Sequence, residues 1–499
     1  MRGGILLPLE LVLIPFVLHR IGVAGFGIWA LLRVFIGYGN IFDLGISVAL
    51  EKFTAEHLAS KEYRLLNRLL NTSFLVYLAI SLLLFIAVVL IKEWIVAGFF
   101  GDALKTFGNL PFILVFSAAT FSVNLLFTLF TSLLNGMQRI DLTNTISAGS
   151  ALLNFAGILI ALGLGFGLEG LVVVNGMVVA TSGLGSLLVT YRKLPEIRLT
   201  PLGPFLELRE FLRIISYSLS VQTTRLAGLI HLHLDKFFLS YFLGLQYVTY
   251  YEIASRLVER MRFLPQMLIQ PIMVAVSDLH TQGRPSEIDR IYVQSLRYMV
   301  LLSLPFFVFI PFFIDPIMKL WLGGSYPLSV RAFRVLIAAH FINLLTGPGF
   351  LICLGIGWLR YGVVAATAGG VLNIVLGYLL IITMGYNGTL LATFLALVLP
   401  SVGFIIAFHR IRHLPLDNDF LRIVLKPMII SLLAAFLAWI VIQVWLGEGL
   451  PQMIASFFLF LILDGIGIWK ILEKGERMRI HSFLHLMRHR VCGVHDGER

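Results

Sequence analysis

The chain repeats itself faintly, and both copies are strings of membrane-length apolar segments. Residues 22–192 match residues 244–410, with a spacing of 222 at Gly22/Gly244, Trp29/Tyr251, Ser73/Ser295, Phe85/Phe307 and Gly101/Gly323. The offset drifts to 221 at Gly136/Gly357 and Arg139/Arg360, to 219 at Asn154/Asn373, and to 218 at Gly170/Gly388 and Arg192/Arg410. So few insertions separate the copies that the two halves must share one fold. Two similar halves in a bilayer usually enclose a site at their interface that opens alternately to either side, which points to a transporter.

Apolar segments fall near 3–18, 27–50, 71–91, 111–134, 142–163, 168–191, 213–234, 246–278, 293–313, 331–354, 361–384, 388–408, 424–446 and 451–472. Most reach the roughly 20 residues needed to cross hydrocarbon. Only 13% of the chain is charged, against roughly 25% in soluble domains. The expected fold is therefore an all-α polytopic membrane protein of about 14 transmembrane helices. Two pseudo-symmetric six-helix lobes, 1–198 and 199–415, precede two extra helices in 416–472 and a basic tail, 473–499. Six helices per copy means both copies enter from the same side, so their pseudo-axis lies along the membrane normal. The first helix is short beside its counterpart, which predicts a natural chain beginning before Met1. The run 246–278 carries Pro265 and Pro271 and should kink.

Alternating the connections places 26 Lys and Arg on one side and 7 on the other. The positive-inside rule puts both termini in the cytoplasm. The net charge of +11 is then topology signal, and no nucleic-acid partner is needed. The tail sets Ile480, Phe483, Leu484 and Met487 on one face, as an interfacial helix on an anionic leaflet would.

An ionised side chain at mid-bilayer costs about 2.5–3.5 kcal/mol on insertion scales, so each one needs a reason. On the second segment, Arg33, Asn40 and Ser47 fall within about 40° at 100° per residue, with Asp43 nearby. The matching eighth segment carries Glu252, Arg256, Glu259, Gln266 and Gln270 on one face, flanked by Arg260 and Arg262. The seventh adds Ser218, Gln222 and Arg225, and the first adds Glu10. Such stripes would line a hydrated, cationic cavity between the lobes. The plainer reading is neutralisation in place: Glu252 and Arg256 are i,i+4 partners, and Arg262 can snorkel. Arg33 and Arg225 lack a sequence-local acid. Asp43, followed by Leu44-Gly45, suits a helix bend as well as a contact.

Other features carry less. Tyr247, Tyr250 and Tyr251 suit an aromatic belt. His481, His485 and His489 recur at i+4 in a basic interfacial tail, which is weak support for a metal. Asp417-Asn418-Asp419 suits a turn. No GxxxxGK[ST] occurs, and Cys353 and Cys492 make no framework.

The run HRIGVAGFGIWALL, followed by YGNIFDLGISVALEKFTAE, resembles the opening of polysaccharide (O-antigen type) flippases. These belong to the multidrug/oligosaccharidyl-lipid/polysaccharide exporter (MOP) superfamily. LGLQYVTYYEIASRL (243–257) and MRFLPQMLIQPIMVAVSDL (261–279) are similar to a later block of that family. Lys52 stands where arginine is common. The resemblance implies a V-shaped fold, like that of the multidrug exporters, in the cytoplasmic membrane. Its implied cargo is a polyprenyl-diphosphate-linked oligosaccharide, carried by alternating access for cell-surface polysaccharide synthesis. It also implies membrane lipids, a polysaccharide polymerase and chain-length machinery as partners. Arginines 33, 225 and 256 are the expected diphosphate ligands, with Asn40, Asp43, Gln222, Glu252, Arg260 and Gln266 around the cargo. No enzymatic activity, cofactor or metal is expected. Na+ or H+ would be the coupling ion, at Glu10, Asp43 or Glu252. Two alternatives stand beside this: a cation-coupled multidrug exporter of the same superfamily, and a membrane glycosyltransferase or polysaccharide polymerase. External loops 92–110 and 314–330 offer the last reading only Glu93, Asp102 and Asp315.

Overall fold

The computed structural model describes residues 2–37, 42–101, 107–200, 234–415, 418–441, 450–472 and 477–478. Every regular element among them is helical, and ten helices are long and apolar enough to cross a membrane. Expected segment 213–234 lies almost wholly outside the described residues, as do Asn40, Ser218, Gln222, Arg225 and the three tail histidines.

Two pairs of adjacent expected segments run together, 213–234 lies almost wholly outside the described residues, and 246–278 is not among the ten, where about fourteen spans were expected. Helix α1 (Arg2–Gly37) joins the first two across Gly22, where φ is 72°. Its repeat partner Gly244 has φ 102°. Both sit in the left-handed region that glycine alone enters without cost, so the same backbone reversal opens each copy. The second expected helix does not continue to residue 50. It restarts as α2 (Ile46–Ala59) after Leu44 (φ 49°) and Gly45 (φ 77°). Ser47 therefore does not share a continuous helical stripe with Arg33.

The chain forms two compact units. The first holds residues 1–256 with 363–396. In it, α3 (Tyr63–Ile95) continues through a short π turn, and α4 (Leu110–Gly136), α5 (Ile140–Gly163) and α6 (Gly167–Lys193) follow. Ile46, Leu50 and Phe53 recur at helical spacing on α2 and bury against Leu66, Leu69 and Leu70 of α3 and Leu129 and Leu133 of α4. The stretch after α6 is tied to α3: Asn67 and Asn71 accept from the backbone N–H groups of Arg198 (2.6 Å) and Thr200 (2.7 Å). Helix α7 (234–242) and α8 (Leu245–Ile269) complete this unit's connected elements, with part of α13 (Leu359–Ile411), which is kinked at Gly385.

The second unit holds residues 257–362 and 397–499. The run carrying both prolines divides as expected: α8 ends at Ile269, and α9 (Ile272–Thr281) begins after Pro271. Then come α10 (Pro285–Leu322), α11 (Pro327–Leu344), α12 (Gly347–Gly355), α14 (Asn418–Val441) and α15 (Leu450–Ile471). The two extra helices are tied together by Ser431 donating to Asp464 (2.6 Å). They dock on α10 through Phe309, whose ring lies 5.0 Å from that of Phe460.

Candidate cargo and coupling sites

Each copy of the repeat places polar residues at the same corner. In the first copy, Trp29, Arg33, Ser117, Asn154 and Asn175 line a cavity of about 110 Å³. Arg33 lies over the Trp29 ring at 5.0 Å and pairs with Glu10 at 3.5 Å. Arg33 has no sequence-local acid, and the partner it finds is 23 residues away in sequence, across the Gly22 reversal. In the second copy, the counterparts of Trp29 and Asn154 are Tyr251 and Asn373, and both converge on Asp235. Tyr251 donates to its carboxylate at 2.6 Å, Thr393 at 3.0 Å and the Asn373 amide at 3.1 Å. All four residues are buried. Tyr251 is thus a core hydrogen-bond donor and not part of an aromatic belt. The Asn373 Oδ1 and Thr389 Oγ1 atoms are buried with no partner among the described residues.

Next in sequence to Asp235 is Lys236, also buried at 2% exposure. Its Nζ lies 2.5 Å from Glu252 Oε2, while Arg256 Nε lies 2.6 Å from Glu252 Oε1. The expected i,i+4 pair is present, but a second cation joins it and leaves the group with an excess positive charge. Lys236 falls just past the expected segment 213–234, within helix α7.

Asp43 takes the bend reading. It accepts from Ser47 N (3.1 Å) and Ser47 Oγ (2.6 Å), capping α2, and also from the buried Tyr77 hydroxyl. Arg262 does not snorkel: it donates to His340 Nδ1 (2.8 Å) and Asn343 Oδ1 (2.9 Å) inside the second unit. Arg260 and Gln266 are half-buried on α8. The described residues hold no cluster of three His, Cys, Asp or Glu.

Helices α1 and α8 meet through repeat-equivalent positions. The Thr249 hydroxyl donates to the Val23 carbonyl at 2.6 Å, and Gly27 packs directly on the Leu245 carbonyl. Positions 23 and 27 correspond to 245 and 249 at the 222 spacing, so residue 23 touches the counterpart of 27, and 27 the counterpart of 23. That reciprocity is the signature of a two-fold contact.

The helical architecture, the duplicated polar corners and the reciprocal contact define a polytopic membrane protein with the MOP-type fold. The family model described as "Polysaccharide biosynthesis protein" matches residues 3–278, more than half of the 499 residues, and a MatE model matches 230–379. The chain belongs to the polysaccharide biosynthesis protein family. It is 24% identical over 395 residues to the probable low-salt glycan biosynthesis flippase Agl15 of Haloferax volcanii, covering 78% of this chain and 77% of that one. Among solved structures it resembles the lipid II flippase MurJ in an inward closed conformation (TM-score 0.68, 16% identity, 94% of this chain and 98% of that one). It also resembles an inward-facing multidrug resistance MATE family transporter (TM-score 0.64, 12% identity, 81% and 94%).

Proposed function

We propose that this protein is a flippase that moves a polyprenyl-diphosphate-linked oligosaccharide repeat unit across the cytoplasmic membrane by alternating access, for cell-surface polysaccharide synthesis. The observation that carries the reading is the Lys236–Glu252–Arg256 group, in which buried Lys236 and half-buried Arg256 share one buried carboxylate, in a chain of the polysaccharide biosynthesis family. Two cations gathered on one carboxylate make this a cationic locus, and a diphosphate supplies oxygens in the geometry that guanidinium matches. A cationic drug would meet repulsion at the same place. The resemblance to MATE transporters keeps the cation-coupled exporter as the second reading.

We assign coupling to Asp235 in preference to Glu10, Asp43 or Glu252. Asp43 caps a helix, while Glu10 and Glu252 pair with cations. Asp235 accepts hydrogen bonds from the Tyr251 and Thr393 hydroxyls and the Asn373 amide N–H, and a buried carboxylate with two hydroxyl oxygens beside it suits Na+ or a proton.

The test is reconstitution in liposomes with a polyprenyl-diphosphate oligosaccharide labelled on the sugar, its sidedness read by impermeant periodate. A charge-assisted bond to phosphate is worth about 1.5–3 kcal/mol, so Arg256→Ala and Lys236→Met should each slow flipping about tenfold or more. Full-speed flipping by both variants would remove the cationic site. Efflux of a cationic dye without lipid flipping would instead establish the exporter reading.

A further inference from the structure

The second compact unit contains a basic pocket that the cargo reading does not use. It has a volume of about 610 Å³ and lies where α10, α14 and α15 come together. Four of its lining residues are bases, Arg297, Arg422, Lys426 and Lys470; Leu301 and Ile423 are among the apolar ones, and none is acidic. Arg297 Nη2 is held toward the pocket by the Ile471 carbonyl at 3.3 Å, the last turn of α15. Just beyond, Arg477 donates to the Lys470 carbonyl at 3.0 Å and lies over Trp469, adding a further cation at the rim.

The three helix ends come from different parts of the chain but from one side of the membrane. Lys470 ends α15, Arg422 begins α14, and Arg297 lies about 18 Å along α10 from its polar start at 1.5 Å per residue. By the charge bias of the loops, that side is the cytoplasm. At 38 residues α10 is nearly twice the length that hydrocarbon requires, so its first turns project beyond the bilayer and bring Arg297 near the headgroup level.

We propose that this pocket binds the phosphate headgroup of an anionic phospholipid of the cytoplasmic leaflet, with the acyl chains descending along the lipid-facing sides of α14 and α15. The volume falls in the range of small-molecule sites, and basic pockets between membrane helices on the cytoplasmic side suit such headgroups. Exposed Leu425, Ile429, Leu433 and Ile466 on the same two helices offer apolar surface for chains. The chain's own tail is a poor occupant, because residues 473–499 are themselves basic. The site stands apart from the cargo reading and would remain if that reading failed.

The experiment uses full-length protein in nanodiscs of equimolar phosphatidylglycerol and phosphatidylcholine, with retained lipid counted by native mass spectrometry. One phosphatidylglycerol should remain bound in preference to phosphatidylcholine. Arg422 and Lys426 are exposed, so Arg422→Gln with Lys426→Gln should leave folding intact. At about fivefold per charge, the double variant should weaken phosphatidylglycerol retention about 25-fold, and Arg422→Lys with Lys426→Arg should restore it. Equal retention of the two lipids, or full retention by the double variant, would overturn the proposal. Displacement by millimolar inorganic pyrophosphate would identify a free-anion site, and displacement by polyprenyl diphosphate at matched concentration a cargo site. Either of those outcomes also overturns it.

Discussion

Replacing Gly27 with alanine tests the reciprocal contact between the two copies of the repeat. A Cβ at this position would collide with the Leu245 carbonyl oxygen and stand 3.0 Å from both the Leu245 carbonyl carbon and Thr249 Oγ1. The obstacle is backbone, which cannot swing aside as a side-chain tip would. Overpacking of this kind costs about 1–3 kcal/mol. If α1 retreats, the Thr249 hydroxyl also loses the Val23 carbonyl, a bond worth about 1 kcal/mol. Together these come to about 2–4 kcal/mol, enough to shift the balance between packed and parted helices by about 30-fold to several hundred-fold. The assay is the distance between spin labels at Ala24 and Gln246 in nanodiscs, with both cysteines replaced. The parent should give one dominant short distance, and Gly27→Ala should move most of the population to a longer one. Thr249→Ala, which removes only the hydrogen bond, should shift it far less. An unchanged distance distribution in Gly27→Ala would refute the reasoning.

Two further outcomes follow from the buried groups of the first unit. Asp43→Ala removes the α2 cap and strands the buried Tyr77 hydroxyl, so it should destabilise the protein by about 2–4 kcal/mol. Tyr77→Phe, which leaves the cap in place, should cost clearly less; equal losses in thermal unfolding would contradict the capping role. Glu252→Gln leaves Lys236 and Arg256 buried without their anion and should cost about 3–5 kcal/mol. Adding Lys236→Met to it should recover part of the loss, and strictly additive effects in a double-mutant cycle would show that the three charges do not act together.

Much of the architecture was legible because a bilayer constrains sequence so strongly. Every backbone polar group in hydrocarbon must be paired, so long apolar runs could only become helices. The 222-residue spacing likewise foretold that Gly22 and Gly244 do the same job, since a backbone reversal needs a residue without a Cβ at each. Helix ends were less legible. The expected segment 27–50 breaks at Leu44 and Gly45, because a left-handed backbone position is set by local conformation that hydropathy does not report.

Beyond the i,i+4 pair of Glu252 and Arg256, pairing was not legible in the sequence. Arg33 found Glu10, Lys236 joined Glu252, and Arg262 found His340 and Asn343, in the last case 78 and 81 residues away. Periodicity reports which side of a helix a charge occupies but not what the facing helix brings to it. By itself the chain dictated a duplicated, helical, membrane-spanning protein with cations placed where lipid would reject them. Only the tertiary arrangement decided which of those charges cancel, because Coulomb energy in a low-dielectric interior depends on separations of a few ångströms that no linear spacing encodes.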